Sequence, residues 1–256
     1  MARYRWPERL WIVRHGESAG NVAREAAYAA NLSVIDIVER DVDVPLSALG
    51  EEQARALGRW FAAMPSGKRP NVLLSSPYLR ARQTAAYVLD SGGVENGTPM
   101  LIDERLREKE FGVLDRLTRL GIEQRFPDQA ALRARIGKFY FRPPGGESWC
   151  DVILRLRSVL DSISLHHSEP GDRVLIVAHQ VIVLCLRYLI ETMTEDEILA
   201  IDRAAEVANC GVTSYRLDRD AAPGGMLRLE AYNFVAPLEQ AGAPVTTRPD
   251  APAGAK

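Results

Sequence analysis

The chain has 256 residues, 46% hydrophobic and 26% charged, with 32 Lys+Arg against 34 Asp+Glu and a net charge of −2. That balance argues against a disordered or fibrous chain and offers no electrostatic footprint for nucleic acid or an anionic membrane. Cys150, Cys185 and Cys210 are odd in number and lack C-x-x-C spacing, which argues against a disulfide framework and a zinc motif.

The start, "MARYRWPERLWIV", has too short an apolar run for a signal peptide. The longest apolar region, 174–186, is broken by His179 and Gln180 and is too short to span a bilayer. A cytoplasmic protein without membrane contact is expected.

In chain order, "LWIV" (10–13) reads as a buried strand. The segment 22–44 is looser, and its helix-prone "VAREAAYAA" reads as a lid or a partner surface. "SALGEEQARALGRWFAAM" (47–64) places Leu49, Ala56, Leu57, Trp60 and Phe61 on one helix face. "NVLLSS" (71–76) is a second strand, followed by a helix over 77–89 entered through Pro77. Ser148 and Asp151 form a capping-box pattern at the start of a helix over 148–163. "RVLIVA" (173–178) is a third strand, and 181–193 reads as helix. "GVTSYRLD" (211–218) and "MLRLEAYN" (226–233) flank a turn and read as a hairpin.

Alternating strands and helices predict an α/β fold: a three-layer sandwich with a mostly parallel central sheet flanked by helices, and an antiparallel hairpin near the C-terminus. Residues 1–236 are expected to form a single domain, with a lid-like insertion at about 103–146 where apolar periodicity is weak. The Pro/Ala/Gly-rich tail 237–256 is expected to be disordered.

Two histidines follow directly on strands: His15 after "LWIVR" and His179 after "VLIVA". In open α/β sheets, ligands bind outside the carboxyl ends of the strands, so both imidazoles are aimed at one edge. "SSPYLRAR" brings Arg80 or Arg82 to the same edge, together with Arg14 and a helix N-terminus suited to an anion. Arginine forks match phosphoryl oxygens. A neutral imidazole beside them can attack phosphorus while the arginines neutralise the equatorial oxygens. The leaving oxygen then needs a proton, from a carboxylic acid or a second histidine. His166 and His167 have no carboxylates at ligand spacing, so no metal site is expected. P-loop, dinucleotide-binding and G-x-S-x-G motifs are absent.

"RHGES" with Asn21, "SSPYLRARQTA" and "AHQ" resemble the signature of the histidine phosphatase superfamily, the phosphoglycerate mutase-like family, over residues 10–216. The resemblance implies that His15 is the phosphorylated nucleophile. Arg14, Asn21 and Arg80 would bind phosphate, and His179 would complete the pocket and share in catalysis. It selects Arg80 over Arg82, in keeping with helix geometry, where residues i and i+2 point apart. "ERLREKEFG" (104–112) resembles the segment that carries the general acid; the glutamate falls at Glu108, with Glu104 and Glu110 as competitors.

Gly20 stands where the family's mutases carry tryptophan, and "PPGGES" and "AHQVIVLCLRYLI" are similar to fructose-2,6-bisphosphatase. The resemblance therefore points to the phosphatase branch. The implied enzyme is a metal-independent phosphatase that hydrolyses phosphomonoesters through a phosphohistidine on His15, without a cofactor. The alternatives are a phosphoglycerate-type mutase and a non-catalytic phosphoryl-binding protein. The partner expected is a small phosphorylated substrate; the cationic stretch 105–142, ten Lys/Arg against five acids, would cover it. Relatives that dimerise make a homodimer a further expectation.

Overall fold

Residues 10–13 and 174–178 are buried along their whole length. Strands buried on both faces must lie inside a sheet covered by helices on both sides. The computed structural model, which describes residues 5–221 and 225–247, has that arrangement.

The elements run β1 (Arg9–Arg14), α1 (Ala19–Ala29), α2 (Ala48–Ala62), β2 (Val72–Ser75), α3 (Leu79–Asp90) and β3 (Met100–Ile102). Then come α4 (Arg119–Arg125), α5 (Pro127–Ile136), α6 (Trp149–His166), β4 (Arg173–Ala178), α7 (Gln180–Ile190) and α8 (Glu195–Ala204). The hairpin strands β5 (Val212–Asp218) and β6 (Met226–Phe234) precede α9 (Ala236–Gln240). The described residues form a six-stranded sheet in the order β3-β2-β4-β1-β5-β6. The β3, β2, β4 and β1 strands are parallel, and β5 and β6 are antiparallel to their neighbours.

Strand alternation sends Leu10, Ile12, Val174 and Ile176 into a core with α6 and α7. Trp11, Val13, Leu175 and Val177 pack on the other face with α2 and α3. In the register Arg14 is paired with Ala178, so His15 and His179 leave the sheet side by side.

Several helix starts are set by side chains. Ser47 caps α2 through the Gly50 amide, and reciprocal capping boxes join Ser18 to Asn21 and Ser148 to Asp151. Pro77 lies two residues ahead of α3, which begins at Leu79 with no side-chain cap. His179 is itself the N-cap of α7.

The two looser regions are joined. Val34 bridges Leu117, and Thr118 Oγ1 donates to Leu32 O at 2.6 Å. Leu114, Leu117, Ile122 and Phe141 make a small core of their own there, with Val34 and Phe126 against it.

The expectation of a disordered tail is corrected for its first part. Leu238 of α9 is fully buried, and Gln53 Nε2 donates to Pro244 O at 2.9 Å and Thr246 Oγ1 at 3.0 Å. The buried Gln53 amide needs those partners, which ties the segment down. Residues 248–256 lie outside the described residues. Among the described residues, no helix is long and apolar enough to cross a membrane.

Candidate active site

His15, first beyond β1, is fully buried. Its Nδ1 lies 2.6 Å from Gly16 O. A carbonyl only accepts, so the proton of the neutral ring belongs on Nδ1 and the lone pair on Nε2. Arg80 Nε donates to that Nε2 at 3.3 Å. The His179 ring stands 5.1 Å from His15, centroid to centroid, and its Nε2 meets Ser76 Oγ at 2.8 Å.

The turn after His15 is held by a crossing of two glycine backbones. A Cβ on Gly16 would lie 2.5 Å from Gly50 O, and one on Gly50 would lie 1.9 Å from Glu17 O. Gly16 therefore has a packing reason, the close approach of the first turn of α2. Gly16 N also donates to Thr84 Oγ1 of α3 at 3.0 Å, which joins the histidine turn to the arginine helix.

Arg14 is fully buried, and its Nη1 donates to Val207 O at 2.6 Å. Asn21 is buried in the first turn of α1, where its Oδ1 accepts from the Ser18 amide and hydroxyl, both at 2.9 Å. Asn209 Nδ2 donates to His15 O at 3.2 Å, and Asn209 Oδ1 accepts from Thr246 Oγ1 at 2.9 Å.

Arg80 is 2% exposed, whereas Arg82 is an exposed residue. Arg80 Nη1 donates to Asp41 O at 2.6 Å and pairs with Asp41 Oδ1 at 2.9 Å. Beside this pair an open cleft is lined by Asn21, Arg24, Ile37, Asp41, Arg80 and Arg116.

Of the three competing carboxylates, Glu104 and Glu110 are exposed and Glu108 is 1% exposed. Glu108 Oε1 accepts from Lys109 N at 2.8 Å, and Oε2 from Val181 N at 3.4 Å, in the first turn of the helix that His179 caps. Glu147 anchors the segment: it accepts from Arg107 Nη2 at 2.7 Å, Arg155 Nε at 2.9 Å and Glu110 N at 3.1 Å. Burial works against the Glu147 charge, but the hydrogen bond and charge of Arg155 outweigh it and hold the carboxyl below its ordinary value. Lys109, also buried, is pushed down to about 8 by desolvation against the pull of Glu108. Glu110 accepts from Tyr78 OH at 2.9 Å; burial, then the charges of Asp41 and Glu110, push that phenol up, so it stays a donor.

The structure thus brings His15, Arg14, Asn21, Arg80 and His179 to one sheet edge, with the Glu108 carboxylate set against the first turn of α7. Sequence reasoning missed Asp41, Ser76 and Asn209. Ser76 lies inside the "SSPYLRAR" motif, which is signal enough to single it out; Asp41 and Asn209 carry no local signal. His166 and His167 end α6 ahead of the start of β4, away from this edge.

The profile of the histidine phosphatase superfamily (branch 1) matches residues 10–224. A phosphoglycerate mutase-like protein of Arabidopsis thaliana is 31% identical over 189 residues; the match takes in 68% of this chain and 62% of that relative, less than two thirds of its length. A 2,3-bisphosphoglycerate-dependent phosphoglycerate mutase of Methylorubrum populi is 28% identical, over 83% of this chain and 92% of the relative. Among solved structures, mycobacterial glucosyl-3-phosphoglycerate phosphatase in complex with VO3 is similar with a TM-score of 0.67 at 26% identity, covering 89% of this chain and 99% of that one. The matched profile runs through β1, β2 and β4, whose ends carry the two histidines and lead to the arginine, and the chain belongs to the histidine phosphatase superfamily, branch 1.

Proposed function

We propose that the protein is a metal-independent phosphatase that hydrolyses small phosphomonoesters through a phosphohistidine on His15. The observation that carries this reading is the His15 ring, with Nδ1 against Gly16 O and Nε2 facing Arg80 Nε. Nε2 attacks phosphorus as the bond to the leaving oxygen breaks, and Glu108 gives that oxygen its proton. Arg14, Arg80 and the Asn21 amide nitrogen hold the phosphoryl oxygens, and His179 donates to them as charge spreads. In the second half Glu108 takes a proton from water, the hydroxide oxygen bonds to phosphorus, and the P–N bond breaks to release phosphate and regenerate His15.

Hydrolysis is favoured over a mutase by the surroundings of Gly20. A Cβ there would meet Val44 Cγ1 at 3.3 Å and Ile37 Cδ1 at 3.7 Å, so a side chain as large as the mutases' tryptophan would have to push Val44 and Ile37 aside. The phosphatase named among the similar structures supports the same side.

The test is phosphate release from p-nitrophenyl phosphate and a panel of phosphorylated metabolites, with EDTA present, for wild type and His15→Ala. Release that survives EDTA and disappears in the variant is expected. Phosphate moved within a substrate and never released would make the protein a mutase.

A further inference from the structure

We propose that Asp41 is a positioning residue for Arg80, so that the strap 31–46, which lines the cleft through Ile35, Ile37, Glu39, Asp41 and Val44, also sets the angle of the phosphate clamp. The Arg80 guanidinium has partners on two sides. Nε meets His15 Nε2 at 3.3 Å, while Nη1 is taken by both the carbonyl and the carboxylate of Asp41, at 2.6 and 2.9 Å. A planar fork held at Nη1 by two acceptors of one residue loses its freedom to rotate, and the edge carrying Nε stays turned to the nucleophile. The Arg80 side chain is 3% exposed, so its charge feels the acidic partner strongly, whereas Asp41, at 38%, stays within reach of water.

The strap is itself braced. Arg116 donates from Nη1 to Ile37 O at 3.1 Å and from Nη2 to Glu39 O at 2.7 Å. Arg116 has φ +58°, a left-handed conformation that a non-glycine residue adopts at a cost. Its carbonyl accepts from Ile35 N at 2.8 Å, and Ile35 and Val44 are buried. Asp41 therefore reaches Arg80 from a tied backbone, as the middle link in a chain of contacts Arg116–strap–Asp41–Arg80–His15.

The inference rests on the phosphoryl site proposed above, and its test reads binding and turnover separately. Inorganic phosphate binding is measured by calorimetry, and kcat and KM with p-nitrophenyl phosphate, for Asp41→Ala, Asp41→Glu, Arg80→Gln, the Asp41→Ala/Arg80→Gln double variant and Arg116→Gln. Asp41→Ala is expected to weaken phosphate binding and kcat/KM about tenfold, the loss of one charge-assisted contact. Asp41→Glu should recover most of it, and Arg116→Gln should show a smaller loss in the same direction. In the Arg80→Gln background the Asp41→Ala penalty should shrink to less than about twofold, because the partner through which it acts is gone. A full penalty in that background, no loss in the single variant, or tighter phosphate binding would overturn the proposal. Binding that follows the expected pattern without turnover would overturn the phosphatase reading and support the role of Asp41. Turnover with additive penalties would do the reverse.

Discussion

Arg80 Nε and His15 Nε2 lie 3.3 Å apart, one on α3 and the other beyond β1. The contact arises because β2 and β1 flank β4, so the turns after two strands that are not hydrogen-bonded to each other converge over it. It uses Nε, at the position along the side chain where lysine has only a methylene. Arg80→Lys is therefore expected to lower kcat/KM by about 10²–10³, close to the cost of removing a donor from a charge-stabilising site. Steady-state kinetics with p-nitrophenyl phosphate reads this, and near-wild-type activity in the lysine variant would mean that charge alone suffices.

If Glu108 is the acid, its loss should depend on the leaving group. Glu108→Gln should lower kcat by about 10²–10⁴ for an alkyl phosphate, whose oxygen needs a proton. The loss should be distinctly smaller for p-nitrophenyl phosphate, whose leaving group departs as an anion. Glu104→Gln, at an exposed position, should leave both rates almost unchanged. Equal losses on both substrates would remove Glu108 from the proton-donor role.

Lys109 carries a stability prediction with a definite sign. Burial depresses its pKa from 10.5 to about 8. Between those values the unfolded chain holds a proton that the folded chain has released, so this group's contribution to stability rises with pH across the window. Below about 8 the buried charge is a cost. Lys109→Met, which gives up the cation–π contact of Nζ with the Phe111 ring at 4.3 Å but removes the buried charge, should stabilise the protein at pH 7 by up to about 3 kcal/mol. The gain should fade as pH rises toward 10.5. Urea denaturation of both proteins at several pH values measures it, and a gain independent of pH would contradict desolvation of the ammonium as its cause.

Gly50 reverses an ordinary rule. Alanine in place of a helical glycine usually stabilises by about 1 kcal/mol. Here the new Cβ would lie 1.9 Å from Glu17 O, and Gly50→Ala should instead destabilise by ~3 kcal/mol. Gly67, at φ +79° with no atom within 4 Å of an added Cβ, should cost only about 1–2 kcal/mol on the same change, through backbone strain. Thermal melts of the two variants compare the costs directly.

The parts of the fold that are legible in the sequence are those with a strong local period. The buried strands 10–13 and 173–178 can be read from unbroken apolar runs, and the histidines at their ends inherit a place from them. The edge strand β3 has three residues, too few to show alternation, and no strand is expected there from sequence. Helix α8 carries a local signal that the sequence reading passes over, the capping box of Thr194 and Glu197. Other features depend on contacts between distant residues. Asn209 meets His15 O across 194 positions, Asp41 finds Arg80 only once the strap is folded, and the tail gains order from Leu238 and the Gln53 amide. The resemblance puts the acid at Glu108 but leaves Glu104 and Glu110 as competitors; burial against the start of α7 sets Glu108 apart from them.

The central claim is that phosphate passes through His15. Rapid acid-free quenching of the wild type with a labelled phosphomonoester, followed by peptide mass spectrometry, tests it most directly. An acid-labile, base-stable phosphoryl group on His15 Nε2, formed within one turnover and absent from Glu108 and His179, is the expected result. Turnover with no phosphate on His15, or with phosphate on another residue, would contradict it.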